Sequence, residues 1–215
     1  MKRRRAGAAL AALAAFAATL TGCVSVGVGN ESAPHAHLQL ADPAPPVARR
    51  AKALVAALLI QPLPADAMAD SVAIAYSRQP NQFAFYQFAS WTERPVRQLP
   101  RLLQRRLEAS GIAAAVGLMG EPLRSDWLLT VAIDSLHHDV AIAPGQARLA
   151  LTVELFDRRS RQRVARRQFG AAVATTSADS SAAATAMSQA VAQVFTDLTP
   201  WLEAELARAA AAPQR

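Results

Sequence analysis

Arg148-Leu149-Ala150-Leu151-Thr152-Val153-Glu154-Leu155-Phe156-Asp157-Arg158-Arg159-Ser160 is the stretch that decides the fold of this chain. Leu149, Leu151, Val153 and Leu155 alternate with Arg148, Thr152 and Glu154, the period of a strand with one face buried and one wet. Asp157 to Ser160 reads as a hairpin turn and Val164 to Ala174 as the returning strand. Working upstream, Trp127, Leu129, Val131 and Ile133 repeat the alternation, and Ile112 to Val116 is a short strand. Val72 to Tyr76 and Phe83 to Ser90 flank the turn Arg78-Gln79-Pro80-Asn81 and predict a second hairpin. In that hairpin Phe83, Phe85 and Gln87 share one face and Tyr86 and Phe88 the other. Ala53 to Ile60 is a continuous apolar run stopped by Pro62 and Pro64, too short for a typical helix, and reads as a buried strand.

Two segments change period. Between Trp91 and Gly111, Val96, Leu99, Leu103 and Leu107 recur at helical spacing with Leu102 beside them, while Arg97, Arg101, Gln104, Arg105 and Glu108 cover the other side. Pro100 predicts a kink there or a helix start near Gln98. From about Asp179 to Ala209, Met187, Val191, Val194, Leu198 and Leu202 follow the same period; Asp179 or Ser177 suits the cap, and Pro200 predicts a kink or a split. The sum is an α+β fold, a mainly antiparallel β-sheet with two helices packed on one face, in a single domain over residues 49–208.

The N-terminus carries a different signal. Lys2-Arg3-Arg4-Arg5 precedes an apolar stretch from Ala6 to Leu20, then Thr21-Gly22-Cys23, where Cys23 is the only cysteine of 215 residues. A basic start, a short apolar run and small residues before the cut describe a secretory signal over residues 1–22. A cysteine at the cut resembles a bacterial lipobox, which implies cleavage before Cys23 and acylation of its sulfur and amine. Several acyl chains on one residue exceed what stable anchoring needs. The apolar run is shorter than the roughly 20 residues of a membrane span. Residues 23–48, with Gly27, Gly29, Pro34 and Pro43-Ala44-Pro45-Pro46, read as a lipidated flexible tether, with His37 to Leu40 as a short edge strand inside it.

Charge narrows the partners. Four of the 23 basic residues precede Cys23 and no acidic one does, so the remainder carries 19 basic against 16 acidic residues, a net of +3. That small excess gives no reason to expect nucleic-acid binding. Arg158, Arg159, Arg161, Arg163, Arg166 and Arg167 cluster around one turn, as a solvated hairpin or as a contact for anionic lipid or an acidic partner.

Motifs of catalysis are not found. The chain has no Gly-x-Ser-x-Gly elbow, no phosphate-binding loop and no dinucleotide fingerprint. Asp134, Asp139, Glu154 and Asp157 are scattered over strand ends and polar faces without forming a general acid/base pair. His35 and His37 fall in the tether. His137 and His138 read as exposed histidines at a strand end, and as strand neighbours they point to opposite faces and do not share an ion. We expect no enzyme, no cofactor and no metal. Phe83, Phe85, Tyr86, Phe88 and Trp91 lie within nine residues, which suggests a partner or lipid patch beside a core plug at Trp91.

Ile74-Ala75-Tyr76-Ser77-Arg78, followed by Phe85-Tyr86-Gln87-Phe88-Ala89-Ser90-Trp91-Thr92-Glu93-Arg94-Pro95, resembles the ABC-type transport auxiliary lipoprotein family, which includes lipoproteins like paraquat-inducible protein C. The family pattern is a strand ending in Tyr-x-Arg, a hairpin, an aromatic strand ending in Trp, and an acidic-Pro step into a Leu-rich helix. Gly111-Ile112, Leu149 to Asp157, the basic turn and Arg166-Arg167-Gln168-Phe169 also match, so the resemblance covers about residues 36–200. Pro100 and a first strand without an aromatic near Leu38 depart from it. The resemblance implies a membrane-anchored partner of an ABC permease and ATPase working with an MCE-domain protein, in a system moving lipids or other hydrophobic compounds through the bacterial envelope. It also points to Tyr76, Arg78, Tyr86 and Arg94 as partner-binding residues, with a homo-oligomer as a further expectation. Val24-Ser25 after Cys23, in place of the Asp that retains such proteins in the inner membrane, implies the periplasmic face of the outer membrane. The alternative is an outer-membrane lipoprotein that activates or scaffolds an envelope assembly machine such as a peptidoglycan synthase.

Overall fold

The computed structural model describes residues 34–211; Cys23 and the signal sequence lie outside the described residues. The elements run β1 (Ala36–Leu38), β2 (Val55–Pro62), β3 (Ala73–Gln79), β4 (Gln82–Trp91), α1 (Pro95–Ser110), β5 (Ala113–Leu118), β6 (Trp127–Asp139), β7 (Gln146–Asp157), β8 (Gln162–Ala174) and α2 (Ser180–Ala211). The fold is α+β, as the alternation and the two helical periods predict. The sheet is mixed. Its long ladders, β3–β4, β6–β7 and β7–β8, are antiparallel hairpins, and its short ones, β1–β4, β2–β5, β2–β6 and β3–β6, are parallel.

β6 is the hub. It pairs with β7 along its whole length, with β2 over its first half and with β3 at Tyr76↔His138 and Ser77↔Asp139. One extra residue, Asp134, enters β6 where the register slips between Ile133 and Ser135. Such a bulge inverts the alternation. Before it Leu129 and Val131 are buried; after it Leu136 and His138 are.

Both helices cover one face and share one core. Leu99, Leu103 and Leu107 of α1 meet Leu58 and Ile60 of β2, and Met187, Val191, Val194 and Leu198 of α2 cover Leu149, Leu151, Val153 and Leu155. α1 starts at Pro95 and continues through Pro100, and α2 continues through Pro200. Each proline removes one backbone donor, and the packed apolar stripe holds the helix through it. Gly111 ends α1 in the left-handed region at φ +68°, its N–H donating to Glu108 O. Asp179 caps α2, accepting from the Ala182 N–H at 2.9 Å.

Residues 36–48 revise the expectation of a tether. β1 pairs with β4, and Leu40 is buried among the helices. The Gln98 amide donates to Leu40 O at 3.1 Å, and the Ala41 N–H donates to Ser188 Oγ at 3.2 Å. Arg106, only 7% exposed, reaches Asp42 Oδ2 at 3.1 Å and Thr196 Oγ1 at 2.8 Å. The prolines keep this strap out of the sheet without preventing an irregular segment from packing across α1 and α2.

Candidate functional site

Where β3, β4 and β6 meet the N-terminus of α2, aromatic and polar side chains form one network. The Thr175 hydroxyl donates to Pro144 O at 2.8 Å, so it accepts from His138 Nε2–H at 3.1 Å. Nδ1 of His138 is then the bare acceptor, and the Tyr86 hydroxyl donates to it at 2.7 Å. Gly145, at φ +101°, lets the β6–β7 connection close over this point. A Cβ there would lie 2.5 Å from Asp139 O and 2.6 Å from His138 Nε2. Tyr76 packs on Tyr86 with ring centroids 5.0 Å apart, and the Arg78 guanidinium sits 5.4 Å from the Tyr76 ring.

The electrostatics keep this network neutral. Burial, followed by the nearby Asp179 carboxylate, pushes the Tyr86 phenol up to about 12, so it remains a donor. Burial also lowers His138 and His137 below the ordinary histidine value. His138 is 0% exposed, and with both ring nitrogens committed it holds β4, β6 and the chain before α2 together. The expectation of exposed histidines is therefore corrected. The bulge at Asp134 turns His138 into the protein and leaves His137 half-buried against Phe83, with ring centroids 5.2 Å apart. His35 and His37 both reach Ser90 Oγ, at 3.0 and 3.1 Å.

The structure thus brings together Tyr76, Arg78 and Tyr86, and it separates Arg94. Arg94 stands at the start of α1, where it pairs with Asp70 at 3.1 Å. Trp91, beside it, is buried where the sheet turns into α1. Sequence reasoning missed His138; the signal available was the apolar spacing of Leu136 and His138, offset by one from Leu129 and Val131.

The scattered carboxylates serve the open face of the sheet. Asp134 accepts from Thr152 and Gln168, Asp139 from Arg148, and Glu154 from Arg163. Arg166 is a second partner of Glu154 at 3.6 Å, so the basic hairpin is in part neutralised by its own sheet. Among the described residues no group of three or more His, Cys, Asp or Glu is placed to hold a metal ion, and no helix is long and apolar enough to cross a membrane.

The arrangement is a helix-backed mixed sheet with a locked aromatic corner. Residues 38–199 match the family model described as the ABC-type transport auxiliary lipoprotein component, and the chain belongs to that family. A crystal structure of a protein from Xanthomonas campestris superposes with a TM-score of 0.68 at 26% identity, covering 83% of this chain and 98% of that one. A second crystal structure, of an uncharacterised protein, superposes with a TM-score of 0.57 at 16% identity over 78% of this chain and 99% of that one, a likeness of fold. Comparison with curated proteins gave no match.

Proposed function

We propose that this auxiliary lipoprotein is the lipid-anchored, non-enzymatic component of an ABC transport system that moves lipids or other hydrophobic compounds, and that it works with an MCE-domain protein and a permease–ATPase complex. The family match over residues 38–199 carries the reading. Cys23 after a secretory signal supplies the anchor, and Val24-Ser25 after it supports the periplasmic face of the outer membrane. The exposed Arg78, held over Tyr76, and the exposed Arg94 supply two separate polar contacts for a protein partner.

Two measurements test this. In a pull-down from solubilised envelopes, the full chain should capture an MCE-domain protein and the permease; capture of a peptidoglycan synthase in their place overturns the reading. Mass spectrometry of the mature N-terminus should show an acylated Cys23, and an unmodified peptide spanning Gly22-Cys23 from wild-type cells overturns the anchor.

A further inference from the structure

β4 has an open edge with an aromatic row on it. β1 pairs only with Ala89, Ser90 and Trp91, so no strand covers β4 from Gln82 to Phe88 on that side among the described residues. Phe83, Phe85 and Phe88 are 43%, 47% and 53% exposed. The sequence alternation placed Phe88 opposite Phe83 and Phe85. The ladder with β3 slips by three residues between Ala75↔Phe85 and Ala73↔Ser90. An odd slip inverts the alternation, which brings Phe88 round to the exposed side while Tyr86, Ala89 and Trp91 turn inward.

We propose that this row is a membrane-interface surface, seated on the phospholipid bilayer that holds Cys23; the inference rests on the acylation of Cys23. The same open face changes character across its width. At β7 and β8 it carries the ion-paired Glu154, Arg163 and Arg166, which belong in water. At β4 it carries three phenylalanines, side chains suited to the headgroup–acyl boundary. Residues Ala73 to Trp91 contain no Asp or Glu and one Arg, so nothing there repels an anionic lipid surface.

The chain's exit selects the same side. The residues from Cys23 to His35 number thirteen, and the described fold begins with β1 directly beside β4. Thirteen residues reach at most about 45 Å whatever their conformation, close to the diameter of a domain this size, roughly 40 Å. Surfaces next to the exit therefore meet the bilayer at high effective concentration. A second copy adding a strand to β4 is disfavoured by the three-residue slip, because bulged and twisted edges resist strand addition.

The test is photolabelling of the full lipoprotein in vesicles of phosphatidylethanolamine and phosphatidylglycerol doped with a diazirine-tailed phospholipid. Tryptic peptide Gln79–Arg97 should carry lipid adducts at least about fivefold above peptides of the β7–β8 hairpin. The triple variant Phe83→Ser, Phe85→Ser, Phe88→Ser should remain folded, with a cooperative melt and an acylated Cys23, and lose those adducts. Uniform labelling of all faces, unchanged labelling in the triple variant, or β4–β4 cross-links between copies in place of lipid adducts would each overturn the proposal. The N-terminal peptide is read in the same digest. Acylated Cys23 without β4 adducts overturns the surface alone; bare Cys23 overturns the anchored reading and this one with it.

Discussion

The Tyr86 hydroxyl donates to Nδ1 of His138 across 2.7 Å, tying the aromatic strand β4 to the hub strand β6 inside the protein. Tyr86 is thus a structural member of the corner that presents Arg78, with only part of its ring available to a partner.

Removing that donor tests the network. Tyr86→Phe leaves His138 Nδ1 buried without a partner, a cost of about 1–3 kcal/mol. At about 2–4 °C per kcal/mol for a chain of this size, the melting temperature should fall by several degrees. An unchanged melt would remove Tyr86 from the role assigned here.

The same corner predicts a pH dependence. His138 is lowered from 6.5 by burial. Above pH 6.5 both folded and unfolded chains hold it neutral, and its stabilising contribution is complete. As the pH falls below 6.5 the unfolded chain takes up a proton that the folded chain refuses, so stability declines until the folded value is reached. Asp139 and Asp179, held below the ordinary carboxylate value by the Ala141 N–H and the Ser177 hydroxyl respectively, contribute losses only at more acidic pH, below about 4. The urea midpoint should therefore drop between about pH 7.5 and about pH 5, and His138→Gln should flatten that drop while His137 keeps its own share.

Arg106 and Asp42 form the buried pair that fastens the strap, and Arg106 Nε has no partner. Asp42→Ala strands a buried guanidinium and should cost about 3–5 kcal/mol. The double variant Asp42→Ala, Arg106→Met should recover much of that loss. Proteolysis within residues 39–48 should rise in the single variant and less in the double; additive losses would show that the two residues are uncoupled.

Trp91 and Arg94 separate core from surface within four residues. Trp91→Ala should cost about 3–5 kcal/mol through a cavity at the sheet–helix corner. Arg94→Ala breaks an exposed pair with Asp70, worth about 0–1 kcal/mol, and should melt like the wild type yet lose capture of its transport partner. Wild-type capture by a stable Arg94→Ala variant would take Arg94 off the contact surface.

Period and punctuation alone determined most elements. The alternation of Leu149 to Leu155 placed β7 and its buried face, the spacing of Leu99, Leu103 and Leu107 placed the buried stripe of α1, and Trp91 read correctly as core. These are local signals, because the direction of a side chain repeats every 2 or 3.6 residues wherever the backbone is regular. Only the tertiary structure decided what happens where regularity breaks. One extra residue at Asp134 buries His138, and a three-residue slip in β4 exposes Phe88 beside Phe83 and Phe85. Leu40, Ala41 and Asp42 look like tether in a proline-rich stretch, and they become part of the domain because Gln98, Ser188 and Arg106, distant in sequence, supply their respective partners. Parallel pairing of β2 with both β5 and β6 likewise depends on contacts between segments far apart in sequence, which no local pattern encodes.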